Sequence, residues 1–487
     1  MARNETLIQY FEWDLGPDCR LWRQVSAQAG FLKRLGITGV WLPPAFKGQG
    51  GCQDTGYGVY DLYDLGEFRQ KGGISTKYGT RKQYMSAISA LQKRDIQVLA
   101  DIVLNHRMGA DHTETVQART VDRMNRERIL QDLHPVDVWT AFTFPGRQGK
   151  YSGFQWHWQD FTGTDMDDGH GSQQILLFEG KHWNPNVSPE LGNFDYVMGA
   201  DVDFTNEEVH QELYSWGKWY TETTGVNGFR LDSLKSIDSH FFEQWLKAMH
   251  QTGNHPDLFI GEYWSGDVFV LKNYLEQCRR CMRLMDVPLH YHLQQAASSN
   301  GHYDIRNLFH YTLSETDPGF AAAFVDNHDT QPGQALESWI MDWFRPQAYA
   351  SILLSRCQLP IVFYGDLYGL KRGNPPVPFL REMIWIRHNL LTDNIVDLCD
   401  DDPQKACWMA WGRHPVIVLY TIADWKQRSF CEPRLADRTI TDITDPGNTL
   451  TFDDRGQVTV TCRPGGLAVY LLKEDWMKLK KARIHLQ

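Results

Sequence analysis

GFAAAFVDNHD, residues 319–329, runs from small and apolar residues straight into Asp326, Asn327, His328 and Asp329. A short apolar run of this kind reads as a strand buried on both faces. Carboxylates at the end of such a strand are costly unless they are paired or put to chemical use. The stretch therefore predicts a strand whose C-terminal end opens onto a polar pocket. One occurrence is a weak signal, so its recurrence carries the fold assignment.

Seven other runs share the pattern: Thr6–Phe11 (TLIQYF), Gly39–Leu42 (GVWL), Ile96–Asn105 (IQVLADIVLN), Val226–Asp232 (VNGFRLD), Leu258–Glu262 (LFIGE), Met282–Val287 (MRLMDV) and Pro360–Gly365 (PIVFYG). With Ala321–Asp326 they make eight. Helical spacing fills most of the gaps, as in Tyr84, Ile88 and Leu91, or in 207–223 with Trp216, Trp219 and Tyr220. Apolar strands alternating with helices are parallel βαβ units, and eight of them predict an α/β fold closed as a (β/α)8 TIM barrel. An open doubly wound sheet would want a glycine-rich phosphate loop after an early strand, and no GxGxxG stands there. Chemistry in such barrels sits at the C-terminal ends of the strands, where Asp101, Asp232, Glu262 and Asp329 fall.

The spacing is uneven in one place. Residues 107–206 hold frequent Gly, Trp and His and no long apolar helix, so they predict an inserted lobe after the third strand. Residues 1–106 and 207–393 then form the barrel. From 394 to 487 the runs PVIVLYTIAD, QVTVTC and GLAVYLL lie between turn residues and predict a C-terminal antiparallel β domain. The final KEDWMKLKKARIHLQ reads as a basic, solvated surface helix.

Composition narrows the class of partner. A chain of 487 residues with 22% charged residues reads as an ordinary folded protein, and its net charge of −11 argues against broad binding to nucleic acid or anionic membrane. Nine scattered cysteines, an odd number, read as reduced thiols and not as a disulfide framework. Cys278 and Cys281 form a single CxxC without the second pair that a zinc site wants. No stretch reaches the length of a membrane helix, and MARNETLIQYFEWD lacks a signal-type apolar core. The expectation is a soluble cytoplasmic monomer.

Carboxylates at the ends of different strands, with His106 and His328, leave few reaction classes. A retaining glycosidase needs one carboxylate as nucleophile and a second carboxyl as acid/base. Asp232 follows Arg230, whose permanent charge suits a nucleophile, and Glu262 is flanked by Tyr263 and Trp264, which suit a proton donor by raising its pKa. A metal hydrolase would want HxH or HExxH, and neither His106 nor His328 stands in such a spacing.

Four segments, DIVLNH (101–106), GFRLDSLKS (228–236), GEYW (261–264) and FVDNHD (324–329), resemble the four signature regions of the α-amylase family, glycoside hydrolase family 13. They occur in the family's order. LIQYFEWD (7–14), GYGVYDLYDLGEF (56–68) and LPIVFYGDLYG (359–369) resemble its bacterial liquefying branch, and the likeness covers nearly the whole chain. It implies hydrolysis of α-1,4-glucosidic bonds in starch- or glycogen-like glucans and maltooligosaccharides. Asp232 would be the nucleophile, Glu262 the acid/base and Asp329 the transition-state stabiliser. Gln9, Tyr57, His106, Arg230 and His328 would surround the sugar at the cleavage point, with Lys235 and Trp264 on the leaving-group side. The resemblance also implies one structural Ca2+ held by Asn105, Asp195, Asp201 and the main-chain carbonyl of Ser236.

Two departures modify this expectation. Further acidic metal ligands of the bacterial enzymes are replaced by Thr162, Asn184 and Thr205, which predicts that the extra cation sites are missing. Many relatives carry His where this chain has Ser236, so a side-chain contact to substrate is lost there. Two other activities fit the same residues: a 4-α-glucanotransferase, and an inactive glucan-binding protein. The presence of all three carboxylates speaks against the second.

Overall fold

The strands that carry the candidate carboxylates pair side by side in chain order and close on themselves. The computed structural model describes residues 4–169 and 174–486. The barrel strands are β1 (Leu7–Gln9), β2 (Gly39–Leu42), β3 (Gln97–Ile102), β4 (Gly228–Leu231), β5 (Leu258–Gly261), β6 (Arg283–Met285), β7 (Ala321–Phe324) and β8 (Leu359–Phe363). All adjacent pairs are parallel, and β8 returns to β1. Each of the eight predicted runs supplies one strand. Most ladders are shorter than the runs, because the polar C-terminal residues turn out of the sheet at the mouth. β7, for example, stops at Phe324, two residues before Asp326.

The connecting helices follow the spacing in the sequence. Helix α1 (Arg81–Gln92) starts on a Thr80–Gln83 capping box and buries Tyr84, Ile88 and Leu91. Helix α2 (Glu207–Thr224) is capped by the Asn206 side chain and ends at Gly225, whose φ of 66° is left-handed. It buries Trp216 and Tyr220, while Trp219 stays half-buried. β4 then opens on Gly228, where a Cβ would lie 1.7 Å from the Leu258 carbonyl oxygen. Only glycine lets β4 lie this close to β5.

The segment between β3 and β4 carries an antiparallel sheet of six strands in the order 106–107, 200–202, 161–164, 175–178, 112–121 and 129–141. Its first strand, His106–Arg107, pairs with Ala200–Asp201 just beyond β3. That pairing brings both ends of the lobe to the barrel mouth.

The C-terminal sheet orders its strands 391–397, 405–412, 415–421, 467–472, 439–442 and 449–451, and a ribbon of 426–431 with 457–462 stands apart from it. Trp408, Ala410, Val416 and Val418 pack into the barrel's core, whereas Cys407, Met409, Ile417 and Leu419 pack with Phe430, Val458 and Val460. Both faces of these strands are therefore buried, which is why PVIVLYT runs apolar without alternating. All nine cysteines are free thiols.

The tail corrects the sequence reading. Helix α3 (Lys473–Leu486) is not simply solvated. Leu479 and Asp475 are buried, Asp475 Oδ2 lies 2.6 Å from His414 Nδ1, and Arg483 Nε lies 2.9 Å from Glu382 Oε1. The basic residues had hidden one docked face.

Candidate active site

Parallel register sets the site. Arg230 lies beside Asp101 on β3 and Ile260 on β5. One step past the ladder, Asp232 N donates to Ile102 O (3.1 Å) and Glu262 N to Leu231 O (2.9 Å). Side chains two residues apart on a strand share a face, so Arg230 and Asp232 point the same way. The buried guanidinium then fans across three carboxylates. Nη1 donates to Asp101 Oδ1 (2.9 Å) and Asp232 Oδ1 (2.7 Å), and Nη2 donates to Glu262 Oε2. The same cation lies 5.1 Å from the Trp41 ring centroid.

The sequence pattern placed Asp101 at the mouth but gave it no role; the structure makes it a partner of Arg230. Its Oδ2 also accepts from Trp41 Nε1 (2.9 Å) and the Tyr57 hydroxyl (2.8 Å). Its place at the end of β3, matching Asp232 and Glu262 on their strands, is the signal that put it at the mouth.

The fourth carboxylate comes from FVDNHD, and here the four polar residues divide. Asp329 N and Thr330 N both donate to Asn327 Oδ1, at 2.8 and 2.9 Å, and Thr330 Oγ1 donates to Asp326 Oδ1 (3.0 Å). Asp326 and Asn327 thus shape the turn and do not line the pocket, contrary to the sequence reading. His328 and Asp329 are the pair delivered to the site.

Four carboxyl groups share one strong cation. Burial pushes Glu262 up to about 8, helped by Asp329, Asp232 and Asp101 and opposed by Arg230. Burial likewise raises Asp329 to about 7 and Asp101 to about 6. The flanking aromatics are not the main cause. Tyr263 packs with Tyr274, and Trp264 donates its indole N–H to Tyr291 (2.9 Å) while its ring lies by His290 and Phe324. A proton donor must stay protonated, so kcat/KM is expected to fall as pH rises through about 8, approaching tenfold per unit above it. A rate profile from pH 6 to 10 checks this, and a flat alkaline limb would exclude Glu262 as the acid.

The predicted substrate residues converge on the same pocket with atoms to spare. Gln9 Nε2 lies 3.0 Å from His328 Nδ1, and His106 Nε2 lies 2.7 Å from the Tyr57 carbonyl oxygen. A carbonyl only accepts, so His106 carries its proton on Nε2. Burial lowers both histidine pKa values and keeps the rings neutral, with Arg230 adding to the effect at His328. Gln9 Oε1, His106 Nδ1 and His328 Nε2 are buried without a hydrogen-bond partner. His328 Nε2 does lie 3.3 Å from Asp329 Oδ2, but without hydrogen-bond alignment. Buried polar atoms left open in this way suit a hydroxyl-rich ligand. The half-buried Tyr57 ring stacks against Trp13 and His328, with centroids 5.6 and 5.2 Å away and planes within 16°. Trp13 was missed from the sequence, where its place in FEWD carries no distinguishing pattern.

On the other side, Lys235 Nζ donates to both oxygens of Glu190, at 2.6 and 2.8 Å, bringing a lobe carboxylate to the barrel. Ser236 is fully buried and its hydroxyl lies 3.3 Å from that of Ser233, so its side chain does not reach the cleft surface. Trp264 keeps the separate contacts described above.

The metal candidates are only partly gathered. Asn105 Nδ2 donates to Asp201 Oδ1 (3.2 Å), leaving Asn105 Oδ1 and Asp201 Oδ2 buried and unpartnered. Asp195 Oδ2 accepts from Asn184 N (2.9 Å). Burial raises both carboxyls, Asp195 to about 7 and Asp201 well above the usual range, and Arg126 opposes the effect. Ser236 stands on the turn after β4, whose Lys235 carbonyl accepts from Ser188 N (2.9 Å). Among the described residues no three His, Cys, Asp or Glu side chains form a metal cluster. The open oxygens here belong to one carboxylate and one amide, hard donors that fit calcium. Nearby Asp203 is taken up by Lys181 Nζ (2.6 Å) and Thr205 Oγ1 (2.5 Å).

Known proteins resemble this chain in sequence and in fold. The family model for the alpha-amylase catalytic domain matches residues 22–411. An alpha-amylase of Geobacillus stearothermophilus is 48% identical over 77% of this chain and 68% of its own. A protein named cytoplasmic alpha-amylase from Escherichia coli is 36% identical over 97% of this chain and 99% of its own. A Geobacillus thermoleovorans alpha-amylase crystallised with acarbose shares the fold at a TM-score of 0.63 and 17% identity, covering 97% of this chain and 98% of that one. The fanned carboxylates at the barrel mouth and the match across four-fifths of the sequence lead to one assignment: the chain belongs to the α-amylase family of glycoside hydrolases.

Proposed function

We propose that the protein hydrolyses internal α-1,4-glucosidic bonds of glucans and maltooligosaccharides with retention of anomeric configuration. The carrying observation is the division of labour around Arg230. One of its nitrogens holds Asp232, while the other reaches Glu262, whose proton is retained to about pH 8. Asp232 attacks the anomeric carbon and Glu262 gives its proton to the departing glycosidic oxygen, leaving a glycosyl ester. Glu262, now ionised, takes a proton from water, which attacks the same carbon and releases Asp232.

Asp329 stabilises the positive charge that develops on the sugar. Tyr57 supplies a stacking face. Gln9, His106 and His328 offer open polar atoms to its hydroxyls, and Arg230 holds the carboxylates in place. Lys235 and Trp264 serve the leaving-group side, and Glu190 joins them through its ion pair with Lys235.

Asn105, Asp195, Asp201 and the Ser236 carbonyl would hold one Ca2+, which would neutralise the clustered lobe oxygens where the lobe meets β3. The full-length likeness to a protein named for the cytoplasm supports a cytoplasmic place. Among the described residues no helix is long and apolar enough to cross a membrane.

Incubation with maltoheptaose tests the reading. Shorter products alone, released initially as α-anomers by NMR, are expected. Longer products would make the protein a 4-α-glucanotransferase, initially β products would exclude retention, and no change would leave only binding.

A further inference from the structure

A cavity of about 560 Å3 lies between the lobe segment 185–189 and the helix Val268–Gln277 that follows β5. Its wall includes Tyr263, the residue after Glu262, and Leu234, the residue before Lys235, so it adjoins the leaving-group side of the cleft. We infer that this cavity is a second holding site for an uncharged α-glucan chain, gripping sugars beyond those directly next to the cleaved bond. The inference rests on the glucan-cleaving reading and extends it outward.

Three features point to a sugar. Among the described residues no Lys, Arg, Asp or Glu lines the cavity, which suits a neutral ligand. Its polar groups are amides, hydroxyls and one imidazole. Asn186 comes from the lobe, and Asn273 and Gln277 stand one helical turn apart on an exposed face. Ser188, Ser239, Tyr263 and Tyr274 add hydroxyls, and His240 is paired with Asp238 (3.0 Å). Neutral amides and hydroxyls pair naturally with sugar hydroxyls, which both donate and accept. Asn186 Nδ2 is held by Asp238 Oδ2 (2.9 Å), which fixes the amide in place. The second feature is Tyr274. It lines the cavity at 4% exposure, and its hydroxyl is buried without a hydrogen-bond partner. A buried hydroxyl left open costs stability unless something fills its place. Third, Phe269 stands at the rim with 65% of its surface exposed, 6.1 Å from the ring of Tyr311, itself 56% exposed. Exposed rings at the edge of a concave, amide-lined surface make a stacking platform for pyranose faces.

Phe269→Ala and Asn273→Ala test the assignment. Both residues are exposed, so folding should survive. With amylose, whose chain is long enough to pass through the cavity, KM is expected to rise about tenfold for Phe269→Ala and about 2- to 12-fold for Asn273→Ala, the span of one neutral hydrogen bond. With p-nitrophenyl α-maltoside, which carries no sugar on the leaving-group side, kcat/KM should stay unchanged. Equal effects on both substrates, or none on either, would overturn the site while leaving the hydrolase reading intact. If the wild type cuts neither substrate, the hydrolase reading fails and calorimetry with maltoheptaose decides the site. Weaker binding by Phe269→Ala than by wild type then retains it, and equal binding overturns it.

Discussion

Asp232→Asn and Glu262→Gln should each lower kcat/KM on maltoheptaose by roughly a thousandfold or more, about 4 kcal/mol of transition-state stabilisation. The two variants should differ in kind. Asp232→Asn removes the atom that attacks, so no choice of leaving group restores it. Glu262→Gln removes only the proton, so α-maltosyl fluoride, whose fluoride departs without protonation, should recover much of the first step. Recovery in Asp232→Asn but not in Glu262→Gln would reverse the assigned roles. Stability supplies an independent check. Burial raises the folded pKa of Glu262 to about 8 from an ordinary value of 4.5. Its contribution to stability is therefore complete below about 4.5 and lost as pH rises through 8. Gln does not titrate, so Glu262→Gln should gain on the wild type between pH 5 and pH 9. Denaturant midpoints at the two pH values measure this. A variant that loses ground at pH 9 would show that the carboxylate is not strained in the fold.

Chelation should destabilise the protein by the second largest margin. Asn105 Oδ1 and Asp201 Oδ2 are buried oxygens without a partner, and a cation bound only by the folded chain would satisfy them. At a calcium concentration a thousand times the Kd this linkage amounts to about 4 kcal/mol. Removing the ion should lower the first unfolding transition by on the order of 5 °C. Asp201→Asn should lower it similarly and make it insensitive to chelator. Asp203, already paired with Lys181 and Thr205, leaves no carboxylate for a second ion there, so calcium-replete protein should hold one tightly bound ion per chain. An unchanged transition on chelation would remove calcium from the fold, and two or more tight ions would refute the single site.

Most of the architecture was legible in the chain because a parallel barrel imposes a simple pattern. Strands covered on both faces must be apolar along their length, and their polar ends must leave the ladder at one rim. That pattern located all eight strands and placed Asp232, Glu262 and Asp329 at the same mouth before any contact was known. PVIVLYT and GLAVYLL were legible for the same reason, being buried between the barrel and the ribbon.

What the sequence left undecided were relations between residues far apart in the chain. It showed Arg230 beside Asp232, but only register reveals that the same guanidinium also holds Asp101, 129 positions away, and Glu262. It attributed the raised Glu262 to neighbouring aromatics, whereas burial beside three other carboxylates is the cause. In FVDNHD it could not separate residues that build the turn from those that face the substrate. That depends on a Thr330 hydroxyl and an Asn327 amide folding back on their own loop. The docked face of the C-terminal helix was hidden in the same way, because a basic surface and an anchored one differ only in what Asp475 and Arg483 meet. Apolar periodicity is written locally, but the pairing of charges is decided where strands and loops meet in space.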